Sequence, residues 1–390
     1  MDVKTIKDLN LTNKKLFMRV DFNVPIRDGQ VQDDTRIVQA IPTIEFAKKN
    51  KAKVILASHL GRPKGEKKLE DSLKPVADYI SKNFFKVNFI FDCIGDKVEA
   101  EIAKMRDGEV VLLENLRFYK GEEKNDPEFV EKLGRFTEVY VNDAFGTSHR
   151  EHASVYGLPL TLKEKGVGFL MGKEVTALSK VLYSPDRPFA AILGGAKVSD
   201  KIGVLEALIE KVDKLFIGGA MAYTFLKYRG NRVGKSLIEV NQLPSVELIL
   251  NKANDRGVKV FLPVDHIASE NMEGRPIIVN KIDIDDNLMA LDIGEKTITE
   301  FKSNLKDCKT IMWNGPMGVF EKKDYAAGTF EIAKYISTLK AFTVVGGGDS
   351  VSAVKKSGVA SNISHISTGG GASLEFIEKG GLPCIDILRY

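Results

Sequence analysis

Short β-branched apolar runs recur along the whole chain, each followed by a polar or glycine-rich break and then a stretch of helical period, and this alternation leaves few folds open. The strand candidates of the first half are Leu16 to Val20, Val54 to Ala57, Val87 to Phe91, Val110 to Leu113 and Val139 to Val141. Those of the second half are Phe189 to Leu193, Leu215 to Ile217, Val258 to Pro263, Thr310 to Trp313, Phe342 to Val345 and Ile363 to Ile366. Helical patterns lie between them at Arg36 to Asn50, Pro75 to Asn83, Lys201 to Lys211 and Ala220 to Tyr228. A βαβ rhythm of this kind builds parallel sheets covered by helices. At ~100 to 200 residues per domain, 390 residues make about two domains, so the expected fold is α/β with two doubly wound parallel sheets, one per half. Leu170, Met171, Val175, Leu178, Val181 and Leu182 recur at helical spacing before Ser184-Pro185, so a helix joins the halves. The expected division is residues 1–168, a connecting helix within 169–187, residues 188–379, and a final segment 380–390. The rhythm is similar in both halves, but no motif repeats.

Composition excludes several classes. With 43% hydrophobic residues and no low-complexity tract, the chain has ample apolar surface to bury and is not disordered. Net charge is +4, and there is no basic face or tail for nucleic acid. Three scattered cysteines, Cys93, Cys308 and Cys384, suit neither a disulfide framework nor a zinc site and fit a reducing cytoplasmic setting. The first residues lack the apolar core of a signal peptide, and no run approaches ~18 apolar residues, so no membrane association is expected.

Four strand ends in the second half run straight into glycines: Gly194-Gly195-Ala196-Lys197, Gly218-Gly219-Ala220, Gly346-Gly347-Gly348-Asp349 and Gly369-Gly370-Gly371-Ala372. In a parallel sheet these ends gather at one edge beside helix N-termini, where free N–H groups and the helix dipole favour phosphate. Turn geometry accounts for any one of them; four together favour a nucleotide site. Lys197, expected beside a helix N-terminus, is electrostatically misplaced there unless an anion joins it. Lys201 follows at i+4, on the same face if the helix has begun. Asp349 suits either a helix cap or Mg²⁺ held against nucleotide phosphates. Two apparent motifs fail. Gly230 to Ser236 is one residue short of a Walker A loop and follows a helical stretch. Asp283, Asp285 and Asp286 lack the glycine and closing glutamate of a calcium loop.

The first half places Arg, His and Asn at strand ends: Arg19 to Pro25, Ser58 to Pro63, Glu114 to Phe118, and Asn142 to Gly146 leading into His149-Arg150-Glu151-His152. Arg36 opens the first helix and can reach the same edge. Each arginine alone reads as surface; several converging from separate loops describe a site for a small, multiply anionic molecule. His149 and His152 have the spacing of a helical metal pair, but no third ligand lies nearby.

Eight ordered motifs, RVDFNVP (19–25), SHLGRP (58–63), ENLRF (114–118), NDAFG (142–146), LGGAKVSDK (193–201), WNGPMGVFE (313–321), GGGDS (346–350) and STGGGASLE (367–375), closely resemble phosphoglycerate kinase over almost the entire chain. The resemblance implies a glycolytic enzyme that moves a phosphoryl group reversibly between 1,3-bisphosphoglycerate and ADP, giving 3-phosphoglycerate and ATP, with Mg²⁺ bound alongside the nucleotide. It also implies a monomer, a final segment that returns to the first domain, and hinge closure to align the two ligands. By motif position, Asp21, Phe22, Asn23, Arg36, His59, Leu60, Gly61, Arg62, Arg117 and Arg150 correspond to the 3-phosphoglycerate pocket. Gly195, Lys201, Gly218, Gly219, Ala290, Asn314, Glu321, Gly346, Gly347, Gly348, Asp349 and Ser350 correspond to the nucleotide pocket, with Asp349 towards the metal and Glu321 towards the ribose. Arg36, Lys197, Lys201 and the amides of Gly370 and Gly371 would surround the phosphoryl group in flight. Ser350 and Ala290 depart from residues frequent in the family, Thr and Gly. The competing readings are a dinucleotide-dependent oxidoreductase, which lacks a G-x-G-x-x-G with its distal acid, and a catalytically silent nucleotide-binding scaffold.

Overall fold

A computed structural model describes residues 3–389. The chain forms two compact units, one running to Thr176 and rejoined by the segment from Gly381, the other Ala177–Gly380. Each is built on a six-stranded parallel sheet.

In the first unit the strands Asn88–Ile90, Val110–Leu113, Lys53–Ala57, Lys15–Val20, Val139–Asp143 and Lys165–Val167 lie in that order across the sheet. Lys15–Val20 is central, pairing in parallel with Lys53–Ala57 through Phe17 opposite Ile55 and with Val139–Asp143 through Phe17 opposite Tyr140. Its residues after Lys15 are all buried, because helices cover both faces of a doubly wound sheet and leave no polar side. Ile37, Ala40, Ile41 and Ile44 of the Thr35–Lys49 helix pack onto one such face. The edge strand Lys165–Val167 falls outside the apolar runs visible in the sequence, since its Lys-Gly-Val carries almost no strand signal.

In the second unit the order is Lys259–Phe261, Lys214–Ile217, Phe189–Leu193, Thr310–Asn314, Phe342–Gly346 and His365–Ile366. The central Phe189–Leu193 strand is wholly buried. Trp313, fully buried beside it, donates from Nε1 to the Gly315 carbonyl at 2.7 Å, so its one polar group is paired. A second, antiparallel sheet of three short strands, Ile277–Val279, His266–Ser269 and Met289–Ile293, has no counterpart in the sequence reading. Its period-two pattern is weak, and Ile277 and Ile278 remain exposed.

The helix Phe169–Tyr183 starts after Gly168, where the buried Asp143 carboxylate accepts from the Met171 N–H at 3.1 Å and so caps its first turn. A Cβ at Gly168 would lie 2.2 Å from that carboxylate, which is why a glycine stands there. The division between the units falls inside this helix, at Thr176/Ala177. The last segment belongs to the first unit: Leu382, Cys384, Ile385 and Leu388 are buried, the Cys384 N–H donates to the Ser148 carbonyl at 3.3 Å, and Arg389 bridges to Val3. Among the described residues no helix is long and apolar enough to cross a membrane.

Candidate functional site

In the first unit the loops leaving the Lys15–Val20, Lys53–Ala57 and Val110–Leu113 strands are tied to one another by side chains. Asn23 accepts from the Gly61 N–H at 3.0 Å, and the Phe22 N–H donates to Ser58 Oγ at 2.8 Å, with the Phe22 ring fully buried below. Buried Asn115 donates to the Leu60 carbonyl at 2.7 Å and to the Asp71 carbonyl at 2.8 Å. Arg117 donates to the Gly61 carbonyl at 2.9 Å, and its guanidinium sits 3.3 Å from Glu123. Arg36 makes a two-oxygen contact with Asp21 at 3.0 Å and also reaches the Asn23 carbonyl.

These bonds bring Asp21, Phe22, Asn23, Arg36, His59, Leu60, Gly61 and Arg117 into one region. Arg150 joins it electrostatically: with Arg19, Arg117 and Arg36 it repels a proton from His59, whose pKa burial has already pushed well below the usual imidazole range. The same combination, burial first, lowers His152 to about 4. Arg62 is exposed at the mouth of its loop. So dense a cluster of guanidinium groups, balanced only in part by Asp21, Glu122 and Glu123, is suited to a small polyanion. Arg19 lies within the RVDFNVP motif yet was not among the candidates; it is 1% exposed and contacts His59 Nδ1 at 3.1 Å. The sequence could flag the arginine but not its burial.

In the second unit the glycine-rich turns meet at the carboxyl edge of the sheet. The Gly195 N–H donates to the Pro316 carbonyl at 3.1 Å, the Gly219 N–H to the Met317 carbonyl at 2.9 Å, and the Met221 N–H back to the Gly195 carbonyl at 3.0 Å. Gly219 has φ +66°, and a Cβ there would lie 2.5 Å from the Gly195 nitrogen, so both conformation and space demand glycine. Gly218 is less confined: its would-be Cβ meets Met317 Sδ at 2.4 Å, a flexible side chain that can shift. These turns form one wall of a cavity of about 430 Å³ whose other walls come from Tyr223, Leu237, Met272, Met289 to Leu291 and Val319. Ala290, Glu321 and Asp349 all line it. Apolar walls with few polar groups suit the flat face of a base. The antiparallel sheet, unseen in the sequence, supplies the Met289 to Leu291 side.

Asp349 brings the start of the Gly348–Lys356 helix, N-capped by Gly347 (φ +89°), to the cavity wall, and Gly370 (φ +52°) N-caps the Gly371–Lys379 helix, where the Ala372 N–H is already taken by the Gly369 carbonyl at 3.0 Å; helix starts of this kind favour an anion. Lys201 and Lys197 stand differently from the sequence expectation. The helix begins at Ile202, so Lys201 is its N-cap and the two lysines share no helical face. Lys197 is exposed in the preceding loop, which Ser199 ties to Glu239 by donating from N and Oγ at 3.0 and 2.6 Å. Lys201 is half-buried, its pKa lowered by that burial, and donates to Asn314 Oδ1; Asn314 in turn donates to the Gly346 carbonyl at 2.8 Å. Ser350 is buried and accepts from the Gly315 N–H at 2.5 Å, a bond that fastens the neighbouring turn. Asp349 is exposed on the cavity wall in the first turn of its helix, and no cluster of three or more His, Cys, Asp or Glu among the described residues could hold a metal by itself. One open carboxylate beside a glycine-rich turn at a helix start fits Mg²⁺ that would complete its shell with phosphate oxygens and water.

Comparison with known proteins identifies the family. The family model described as phosphoglycerate kinase matches residues 6–380. The phosphoglycerate kinase of Finegoldia magna is 52% identical over 393 aligned residues, covering 100% of this chain and 99% of the relative, and that of Pseudothermotoga lettingae is 52% identical over 98% and 97%. The solved structure of phosphoglycerate kinase from Coxiella burnetii superposes with a TM-score of 0.92 at 39% identity, covering 99% of this chain and 98% of that one. With the match unbroken across both units and half the residues shared with full-length relatives, the chain belongs to the phosphoglycerate kinase family.

Proposed function

We infer that the chain performs the reaction of its family, reversible phosphoryl transfer between 1,3-bisphosphoglycerate and ADP to give 3-phosphoglycerate and ATP, with the acidic substrate on the first unit and the nucleotide on the second. The observation that carries the placement is the contrast in chemistry: converging guanidinium groups in one unit, and in the other an apolar cavity of about 430 Å³ with glycine-rich turns and the start of the Gly348–Lys356 helix at its wall.

The acceptor in the ATP-consuming direction is the carboxylate of 3-phosphoglycerate. It is ionised at neutral pH, so no general base is required. Catalysis then rests on positioning and on stabilising the charge of the transferring group. Arg36, aimed by Asp21, would supply charge from the substrate side. Lys197, Lys201 and the N–H groups of Gly370 and Gly371 would supply it from the nucleotide side. Mg²⁺, held by Asp349 and the nucleotide, would neutralise phosphate charge. Because the two ligands belong to different units, turnover requires closure of the hinge formed by the Phe169–Tyr183 helix and the return segment. The reading also includes a cytoplasmic monomer that acts without nucleic acid or membrane.

A coupled assay with 3-phosphoglycerate and Mg·ATP tests the reading. Turnover dependent on both substrates and abolished by chelating Mg²⁺ is expected; no turnover from folded protein would overturn it.

A further inference from the structure

Beneath the cationic cluster, two buried polar residues outside both ligand sites, Glu122 and Ser154, join the pocket through Arg19 and His59. Glu122 is completely buried, and both of its oxygens accept from one residue: Oε2 from the Ser154 N–H at 2.9 Å and Oε1 from Ser154 Oγ at 2.6 Å. Ser154, itself 0% exposed, lies in the π-helical turn Ala153–Gly157, a rare backbone form often found at functional sites. Its hydroxyl accepts from Arg19 Nε at 2.9 Å. Arg19 then contacts His59 Nδ1 at 3.1 Å through Nη2 and donates to the Val20 carbonyl through Nη1.

The direction of every bond in this chain is forced. A guanidinium can only donate. Ser154 Oγ therefore receives the Arg19 proton, and its own hydrogen goes to Glu122, an acceptor on both oxygens. His59 Nδ1, facing an N–H donor, must be the ring nitrogen without a proton. Any ring proton then sits on Nε2, which among the described residues has no hydrogen-bond partner in the protein. We propose that Glu122, acting through Ser154 and Arg19, is a positioning residue that holds His59 as the neutral tautomer with its proton on Nε2, ready to donate to an anionic ligand.

The charged groups around His59 favour the neutral ring. Arg19, Arg117, Arg36 and Arg150 all oppose a second proton. The carboxylates of the region are already committed: Asp21 to Arg36, Glu123 to Arg117, and Glu122 to Ser154. Without Glu122, the buried Arg19 loses its counter-charge and Ser154 loses the acceptor that orients its hydroxyl. The Arg19 fork would then no longer select one tautomer of the ring beside it.

The role in ligand binding rests on the reading of this pocket as the 3-phosphoglycerate site, and the test separates the two. Nitrogen-15 NMR of histidine-labelled, ligand-free protein should show His59 with a protonated Nε2 and a pyridine-type Nδ1 throughout the neutral range. Glu122→Gln, which keeps shape and removes charge, and Ser154→Ala, which breaks the middle link, should each give a mixture of tautomers. Both should raise KM for 3-phosphoglycerate on the order of tenfold, equivalent to about 1.4 kcal/mol, with kcat changed far less. A merely structural role would lower Tm and leave the tautomer alone. A wild-type ring protonated on Nδ1, or a folded variant that keeps a single Nε2–H tautomer and normal KM, would overturn the proposal; the two variants break different links of one chain, so either alone tests it. If 3-phosphoglycerate leaves the wild-type His59 signals unmoved, the pocket reading fails and the binding role with it, while the tautomer result stands on its own.

Discussion

The two units carry similar sheets and helices but build their sites from opposite materials. The first uses long charged side chains, each held by a neighbour: Arg36 by Asp21, Arg117 by the Gly61 carbonyl and Glu123, Arg19 by Ser154. The second uses mostly backbone and bulk, with glycines at φ values that other residues resist, helix N-termini and methionine walls. The difference suits what each unit is proposed to recognise. A small polyanion offers little surface and much charge, so affinity comes from charge-assisted hydrogen bonds. A nucleotide offers a flat apolar base and a phosphate tail, so a slot and a row of amides suffice.

The largest expected effect separates the units altogether. Deleting residues 381–390 uncovers the buried sites of Leu382, Cys384, Ile385 and Leu388, and at roughly 1.5 to 3 kcal/mol per large apolar side chain the first unit should lose much of its stability. Hydrogen exchange should show loss of protection in the first unit with the second intact, and calorimetry should still register Mg·ADP. Uniform loss in both units would mean that they do not behave as separable bodies.

Arg36→Ala comes next. If the guanidinium side carries transition-state charge, kcat should fall on the order of 10² to 10³-fold, while Mg·ADP affinity remains as in the wild type. Near-normal turnover would remove Arg36 from the mechanism. Gly219→Ala is the converse probe. Its φ of +66° and the 2.5 Å approach to the Gly195 nitrogen should cost about 2 kcal/mol or more, read as weaker Mg·ADP binding with 3-phosphoglycerate binding retained. An unchanged nucleotide affinity would show that the turn can shift without affecting the cavity.

The smallest effect concerns the cost of crowding cations. His152, held down to about 4 by burial and by Arg117, Arg19 and Arg150, binds fewer protons when folded than when unfolded between pH ~4 and its ordinary value of 6.5. Wild-type stability should therefore gain from this group as pH rises through that window and lose it as pH falls. Denaturant unfolding of wild type and His152→Gln from pH 4 to 8 should show the variant gaining on the wild type towards acid. A pH-independent difference would mean that His152 titrates normally.

Much of this was legible in the chain because it is local. Buried parallel strands read as unbroken apolar runs, so Val110–Leu113 and Phe189–Leu193 stand at the positions read from the sequence. The glycines of the strand-to-helix turns announce themselves because no other residue suits their backbone, and the arginines because their charge is unusual at a strand end. The short antiparallel sheet was not legible, since three to five residues with one exposed face resemble loop.

The sequence by itself determined the βαβ order, the helix between the halves, the residue types at each strand end and, through eight motifs, the family. Tertiary structure alone decided which of those residues meet. Ser154 and Arg19 lie 135 positions apart, and Glu122 lies 32 from Ser154. The cavity wall at Ala290 is set by Ser236, 54 positions away, whose hydroxyl accepts the Ala290 N–H at 3.0 Å. Spacing along a chain reports on helix faces and strand alternation, which repeat within a few residues. Burial, hydrogen-bond direction and the proton on a histidine depend on groups that only the folded chain brings within a few ångströms, and at that range a pairing or its loss is worth about 1 to 3 kcal/mol.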